Sequence, residues 1–453
     1  MNKFLFLMPL VLCPVSAQVA DAKSACMAAL DEVQKAQSDN LAPVVTAVLD
    51  STGGDEQAFL RLMREAADAG HPVALYWVAG QALRQLQFPR MDSPQAPEAA
   101  RLRAAVEQAA SAGYVPAIVE MAHLCGNGIG GERDEKTAMQ HLMKACTMGN
   151  HRARSVYLLF SGRLEKEGAE GAAVVSELKK NNYYVEELLA SIVAPTDEAK
   201  SREWATRAAE HGSPVAAGNL ALYYMLQKQY DKGYDFLKMA VERNHPASLA
   251  QLAAMYLPDA DLPPELRERI KPDTDAAIRL FQRAMLLGYA QAIIPLAGEL
   301  HKQPGKYPAS RVFELYRLAA DAGDPRGGVA YGYSLAVGRG CTPDTGRGVD
   351  ILTRLVDAGV PFANMALADL YFNGTGVPAD MSKALSCLAA ASAAGVPQCY
   401  TLMAVIAQLG NSAKAPDPSR ARIYLRMAEE RGERTPREAF DTMVQAGSWR
   451  FIP

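Results

Sequence analysis

Residues 363–395 read ANMALADLYFNGTGVPADMSKALSCLAAASAAG and contain a complete helix–loop–helix unit. Bulky apolar residues fall at helical intervals among small Ala and Gly residues, which allow two helices to approach closely. In the loop GTGVPAD, Asp380 stands where a side chain can cap the following helix. The stretch ends at Gly395, two residues before Pro397. It therefore predicts two antiparallel helices followed by a tight turn into the next unit.

The same turn recurs along the chain as AADAGHP at 66–72, AAEHGSP at 208–214 and AADAGDP at 319–325. Its Gly or Asn ends a helix in the left-handed conformation, and a proline two residues later fits the first turn of the next helix. The marked positions are 70, 113, 149, 182, 212, 244, 288, 323, 359, 395 and 432. A spacing in the mid-thirties predicts an all-α array of about ten helix-pair repeats.

The glycine loop has an early copy, CGNGIGGERDEKTA at 125–138, with the spacing G-x-G-x-x-G of some nucleotide-binding loops. A dinucleotide-binding fold needs a strand before these glycines, whereas the preceding MAHLC belongs to a helical pattern. The Gly-x-Gly element of the repeat loop occurs at Gly126 and Gly128, Gly338 and Gly340, and Gly374 and Gly376. Each is followed by an aspartate in capping position: Asp134, Asp344 and Asp380. We interpret the glycines as repeat-loop residues and exclude a nucleotide.

At these residues the sequence resembles the Sel-one-like repeat (SLR) family, relatives of the tetratricopeptide repeats. Residues 363–395 match its pattern at nearly every position, and 118–150 and 329–359 match around the loop. Residues from about 160 to 310 keep only the helix-pair rhythm. The resemblance implies a right-handed α/α superhelical solenoid, which in this family serves mainly for contact between proteins.

The N-terminus has the features of an exported protein. Met1–Lys3 supplies a positive start, Phe4–Leu12 is apolar, and Val15–Ala17 carries small residues where a signal peptidase cleaves. We therefore predict a signal peptide at 1–17, a helical cap at 18–60, the solenoid at 61–435 and a C-terminal cap or tail at 436–453. No later apolar run is long enough to span a membrane. The expected location is periplasmic or secreted.

Charge and motifs argue against several functions. The formal net charge is −3, from 47 basic and 50 acidic residues, which disfavours nucleic acid as a partner. Neither H-E-x-x-H nor G-x-S-x-G occurs, and S-x-x-K at 176–179 lacks its companion motifs. Four histidines lie at turns, where they suit helix ends better than a metal: His71, His151, His211 and His245. We expect no catalytic residues, no metal and no cofactor.

Six cysteines remain after cleavage of the predicted signal, and none forms a C-x-x-C pair. Cysteine-rich bacterial SLR proteins bridge two helices around a turn with a disulfide between residues eight apart. By that resemblance Cys387 and Cys399, 12 apart around Gly395, are the candidate disulfide. The alternative is that both are small core residues. Some of these relatives are associated with β-lactam binding, so a cell-envelope enzyme or a β-lactam- or peptidoglycan-binding protein is the alternative function.

Two features of the sequence are candidates for a binding surface. Tandem aromatics occur in the first helices of repeats, and among them Trp77 and Tyr224 are candidates to line a concave groove. The other reading makes them core residues. Long links at 88–98 and 257–274 mark one edge of the array as a second candidate surface. We predict a non-enzymatic exported scaffold that binds another protein or peptide, with an envelope glycan as the alternative ligand.

Overall fold

The computed structural model describes residues 14–86, 95–446, 449 and 451. Within these ranges the chain forms 26 α-helices and two short 3-10 helices, with no β-strand. The chain divides into two compact units, residues 1–289 and 290–453. Most of the predicted signal peptide and most of the link at 88–98 lie outside the described residues.

The first unit contains seventeen helices within the ranges that the structure describes. They are α1 (Pro14–Lys35), α2 (Ala42–Thr52), α3 (Glu56–Asp68), α4 (Pro72–Gln85), α5 (Ala96–Ser111), α6 (Val115–Asn127), α7 (Glu135–Thr147), α8 (His151–Phe160), α9 (Arg163–Lys166), α10 (Ala172–Leu178), α11 (Tyr183–Val193), α12 (Glu198–Glu210), α13 (Pro214–Leu226), α14 (Tyr230–Glu242), α15 (Pro246–Met255), α16 (Pro264–Arg269) and α17 (Thr274–Leu286). The 3-10 helix Gly168–Glu170 lies between α9 and α10.

The second unit begins with the 3-10 helix Ala290–Ala292 and continues with nine helices in its described part. They are α18 (Ile293–His301), α19 (Ala309–Asp321), α20 (Pro325–Val337), α21 (Thr345–Asp357), α22 (Pro361–Asn373), α23 (Met381–Ala393), α24 (Cys399–Leu409), α25 (Pro418–Glu430) and α26 (Pro436–Gln445).

Consecutive helices pack in pairs, which confirms the all-α helix-pair prediction. The regular pairs are α4–α5, α6–α7, α11–α12, α13–α14, α15–α17, α18–α19, α20–α21, α22–α23 and α24–α25. The less regular segment α8–α10 fills the place of one more repeat. The short helix α16 lies inside the long link at 257–274, where Leu266 and Ile270 are buried against α14. That link therefore contributes to the core.

The turns between repeats have the predicted backbone conformation. Positive φ occurs at every predicted position except 182: residues 70, 113, 149, 212, 244, 288, 323, 359, 395 and 432. At the remaining turn the left-handed residue is Asn181 (φ 53°), and Asn182 instead precedes α11 as its N-cap. The prediction was one residue out there because two consecutive asparagines suit the same conformation.

The predicted aspartate caps are confirmed. Asp134 accepts a hydrogen bond from the Thr137 backbone N–H at the start of α7. Asp344 and Asp380 cap α21 and α23 in the same way. In each loop the aspartate N–H also donates to a carbonyl of the preceding helix, as from Asp380 to Tyr371 O at 2.8 Å. One residue thus fixes both ends of the loop.

The glycine loops pack tightly against the preceding repeat. A Cβ added at Gly340, where φ is +79°, would lie 2.2 Å from the carbonyl oxygen of Ala309 at the start of α19. The corresponding atom at Gly130 would lie 2.5 Å from Ala99 O. Gly126 lies inside the last turn of α6, so the loop pair of this repeat is Gly128 and Gly130. The predicted pair, Gly126 and Gly128, was wrong, because the observed pair lies two residues later in the chain.

In the first unit the helix array returns to its own beginning. The Gln282 Nε2 of α17 donates to Gly54 O at 2.8 Å and to Glu56 Oε2 at 3.2 Å. Leu286 is buried in the same apolar core as residues of α1 to α8. Since Gly54 and Gln282 are 228 positions apart, the first unit is closed by a contact between its ends.

Candidate functional site

A large cavity lies in the first unit, where successive turns meet. Its volume is about 1170 Å³. Its walls come from the link between α1 and α2, the N-terminal end of α6, and the turns before α8, α11, α13 and α15. These turns share one edge of the array because they all join one repeat to the next. The repeat pattern therefore brings residues from distant parts of the sequence to one cavity.

A second cavity of about 630 Å³ adjoins the first. Val119 and Arg152 line both cavities. The second cavity has an apolar wall that includes Met139, Leu142 and Phe160. The Phe160 side chain at the end of α8 is 69% exposed. Covering an exposed aromatic ring that lies beside other apolar groups is favourable, because it removes apolar surface from water.

Asn182 supplies an unused hydrogen-bond acceptor in the wall of the first cavity. It is 2% exposed, and its Nδ2 donates to His151 O at 3.2 Å and to Glu177 Oε2 at 3.0 Å. Its Oδ1 is buried and has no hydrogen-bond partner in the described part of the chain. A buried acceptor without a partner costs about 1–3 kcal/mol, which a donor from a bound molecule recovers.

Behind Asn182, the buried carboxylate of Glu177 holds this wall together. Lys180 Nζ lies 2.9 Å from it, Arg154 Nε 3.6 Å and His151 Nδ1 3.8 Å. Burial acts to raise the pKa of Glu177, but the hydrogen bonds from Lys180 and Asn182 and the nearby cations outweigh it and lower the pKa. Glu177 is therefore ionised at neutral pH and orients the Asn182 amide.

Charged side chains line the first cavity, and one of them, Arg152, also lines the second. Arg152 Nη1 lies 3.5 Å from Asp39 Oδ2, and both side chains are about half exposed. Glu187, on the same cavity wall, accepts a hydrogen bond from the Ser213 hydroxyl. Burial raises the pKa of Glu187, and the Ser213 hydrogen bond and the charge of Arg152 offset part of this rise. The first cavity thus presents both positive and negative side chains to a ligand.

The predicted groove aromatics pack within the fold. Trp77 in α4 lies edge-on to Phe59, with ring centroids 5.4 Å apart, and is partly buried in the first core. Tyr224 in α13 stacks on Phe236 at 5.6 Å. The linings of the two cavities contain neither Trp77 nor Tyr224. Their role in binding stays a prediction.

The structure places the remaining predicted residues as follows. Cys387 lies inside α23 and Cys399 begins α24, and both are free thiols, so the disulfide suggested by the resemblance is not formed here. Ser176 and Lys179 are exposed on and just after α10. Gly126 lines the second cavity, whereas the glycines of the 338–340 and 374–376 loops lie in the second unit.

Histidines at the turns pair with carboxylates or a hydroxyl. His211 Nδ1 lies 2.9 Å from Glu186 Oε2, and His71 Nε2 lies 3.3 Å from Asp31 Oδ1. His245 Nδ1 lies 2.8 Å from Ser248 Oγ. Among the described residues, no group of three His, Cys, Asp or Glu side chains has metal-site geometry. Among the described helices, none is long and apolar enough to cross a membrane.

Sequence reasoning missed Asn182, Arg152 and Phe160 as site residues. The signal available for the first two was the period itself, because each lies within three residues of a left-handed turn residue. Residues in that position of successive repeats line one edge. Phe160 carried no such signal, since it ends α8, the first helix of the irregular segment that lacks the glycine loop.

Comparison with known proteins supports the repeat assignment. Sel1 repeats are recognised at 115–150, 191–213, 246–289, 313–324, 361–396 and 397–433. Two of these matches, 191–213 and 246–289, fall in the region around 160–310, where the sequence keeps only the helix rhythm. No curated protein matches the chain.

Several solved structures are similar to this chain. One is c5321, a protective antigen of uropathogenic Escherichia coli strains with an SLR fold; it is 17% identical, with 97% of this chain and 98% of that chain covered and a TM-score of 0.43. A Sel1 repeat protein from Oxalobacter formigenes is 19% identical over 54% of this chain and 96% of that one, with a TM-score of 0.41. The immunity protein Pa5087 from Pseudomonas aeruginosa is 17% identical over 49% and 82%, with a TM-score of 0.33.

Proposed function

This chain is a Sel1-repeat protein, and from that premise we propose that it is a non-enzymatic scaffold that binds a segment of another protein in the two adjoining cavities of its first unit. Sel1-repeat solenoids are commonly protein-interaction scaffolds. The observation that carries the proposal is the adjacency of a buried, unpaired acceptor and an exposed aromatic ring. Asn182, whose buried Oδ1 is unpaired in the described part of the chain, lines one cavity, and Phe160 lines the next.

The chemistry of the two cavities fits an extended peptide. A backbone N–H of the peptide would satisfy Asn182 Oδ1, as amide side chains commonly do for main-chain groups. A large apolar side chain of the same peptide would cover Phe160, Met139 and Leu142. Arg152 lies between these two subsites because it lines both cavities. An acidic or polar residue of the peptide would therefore face the guanidinium.

Site-specific photocross-linking tests this proposal in cells. A benzophenone amino acid is placed at Phe160 and, as a matched control, at Met143, which is 53% exposed and lines neither cavity. We expect a discrete protein adduct from position 160 and none from position 143. Adding Asn182→Leu, which removes the acceptor at similar volume, is expected to reduce the adduct at least about five-fold.

Equal adducts from positions 160 and 143 would show non-specific contact and would contradict the proposal. An adduct at 160 that is insensitive to Asn182→Leu, with the helix content unchanged, would confine binding to the apolar cavity. Circular dichroism of each variant separates loss of binding from loss of the fold.

Export to the periplasm or beyond is part of the same proposal, on the strength of the sequence at residues 1–17. Cleavage after Ala17 would shorten α1 by four residues, Pro14 to Ala17. The buried residues Ala22, Cys26 and Leu30 of α1 would all remain. Expression with the native N-terminus in a bacterial host, followed by mass determination of the purified protein, is expected to give a chain that begins at Gln18. A soluble cytosolic product that keeps Met1 would contradict export.

A further inference from the structure

The C-terminal segment of the chain lies on the repeats of the second unit. After α26, the side chains of Trp449 and Phe451 are 6% and 8% exposed. Trp449 belongs to the apolar cluster around Phe372 and Leu388, and Phe451 to the cluster around Tyr333. Side chains two positions apart point to the same side of an extended strand, and here Trp449 and Phe451 both pack against helices, α22 and α20 respectively.

Each aromatic side chain meets an aromatic residue of a repeat. The ring of Phe451 lies 5.2 Å from that of Tyr333 at 74°, an edge-to-face contact. Trp449 lies 6.5 Å from Phe372. Tyr333 and Phe372 come from neighbouring repeats, from α20 and α22. The segment therefore crosses from one repeat to the next, which is how repeat arrays usually bind extended ligands.

A repeat side chain also holds the backbone of the segment. Asn373 Nδ2 donates to the carbonyl oxygen of Trp449 at 3.2 Å. The same amide donates to Asp369 Oδ1 at 2.6 Å, and the buried Asp369 accepts a further hydrogen bond from the Tyr333 hydroxyl at 2.5 Å. Asp369 thus connects Tyr333, which contacts Phe451, with Asn373, which binds the Trp449 backbone. This combination of a main-chain hydrogen bond with alternate side-chain pockets is the usual chemistry of extended-peptide recognition.

We propose that this surface, defined by Tyr333, Asp369, Phe372 and Asn373, is a second peptide-binding site that recognises an extended segment with aromatic residues at positions i and i+2. The chain's own Trp449 and Phe451 occupy it as an intramolecular ligand. A partner of the same chemistry binds by displacing them. The inference extends the scaffold function to a second surface, and its test does not involve the cavities of the first unit.

The connection to α26 raises the local concentration of the intramolecular ligand. Only Ala446 to Ser448 separate Gln445, the last residue of α26, from Trp449. For a covalent connection of three residues the effective concentration is of millimolar order. A free peptide with the same residues therefore competes poorly with the attached segment, and removal of the segment exposes the affinity of the site.

The test measures binding of a labelled peptide with the sequence of residues 447–453, GSWRFIP, by fluorescence anisotropy. One receptor is the chain that ends at Ala446, and the other is the full chain. We expect a Kd of about 10 µM for the shortened chain and at least ~ten-fold weaker binding to the full chain. Replacing both aromatic residues of the peptide by alanine is expected to abolish binding. Asn373→Ala in the shortened receptor should weaken it about five-fold.

A second receptor keeps the test decisive if the shortened chain does not fold. The full chain with Trp449→Ala and Phe451→Ala keeps its length and removes only the two aromatic groups. Circular dichroism and thermal unfolding establish which receptors are folded. Absence of peptide binding to a folded receptor would overturn the proposal. Unfolding of both receptors would also overturn it, because the segment would then be an obligatory part of the core. Either result leaves the cross-linking test at Phe160 unaffected.

Discussion

The two units use the same helix pairs to present different chemistry. In the first unit, polar residues after the turns and one apolar wall surround two adjoining cavities. In the second unit, an aromatic surface on α20 and α22 holds Trp449 and Phe451 of the same chain. The backbone frame is therefore shared, and the two candidate binding surfaces differ in the residues that the repeats place there.

The loops differ between regions as well. At 374–380 a glycine loop ends in a capping aspartate, Asp380. Between α13 and α14 only residues 227–229 intervene, with a left-handed Lys228 (φ 58°) and no side-chain cap on α14. Both links produce an antiparallel pair. The glycine loop is thus one solution to the turn, and its absence around 160–310 leaves the fold intact.

The largest expected effect concerns the close packing that both units share at the glycine loops. Gly340→Ala adds a Cβ 2.2 Å from Ala309 O, whereas Gly359→Ala, at the same φ of +79°, meets no atom within 4 Å. We expect Gly340→Ala to lower the free energy of unfolding by about 3–4 kcal/mol and Gly359→Ala by about 1 kcal/mol. Urea unfolding compares the two variants. Equal losses would show that φ alone matters at this loop.

The second prediction concerns the buried carboxylate behind the first cavity. The pKa of Glu177 is lowered from 4.5 in the folded chain, so its carboxylate stabilises the fold above that value and loses this contribution as the pH falls through the folded pKa. Glu177→Gln is expected to cost about 2 kcal/mol at pH 7 and progressively less as the pH falls below 4.5. Urea unfolding across this range measures it, with the exposed Glu165→Gln as control. A cost independent of pH would contradict the assignment.

A third prediction uses the contact between α17 and α2 to test whether the two units respond independently. Gln282→Ala removes the hydrogen bonds to Gly54 and Glu56 and is expected to cost about 1–2 kcal/mol. Hydrogen exchange should become faster in α2 and α17 and stay unchanged in α20 to α24. The exposed Gln227→Ala serves as the matched control. Equal acceleration in both units would show that the closure does not act locally.

The smallest expected effect is at a helix cap. Asp380→Ala removes the hydrogen bond to the Lys383 N–H and is expected to cost about 1 kcal/mol, as is Asp134→Ala at the corresponding loop of the first unit. Thermal unfolding of the two variants compares the units directly. A negligible loss in both would show that the glycines, and not the capping aspartates, determine the loop geometry.

Local features of this fold were predictable from sequence, and contacts between distant residues were not. The turns, the proline starts of helices and the caps at Asp134, Asp344 and Asp380 follow from backbone preferences within a few residues. The contact of Gln282 with Gly54 and the hydrogen bond from Asn373 to Trp449 join residues 228 and 76 positions apart. No periodic signal specifies such contacts, because they depend on the accumulated rotation of many repeats.

The closure between α17 and α2 limits how this protein can evolve. An open repeat array readily gains or loses a unit, because each repeat contacts only its neighbours. In the first unit, duplication of one helix pair would carry Gln282 away from Gly54 and remove Leu286 from the core that it shares with α1 to α8. The contact between α17 and α2 therefore ties the first unit to its present number of helix pairs.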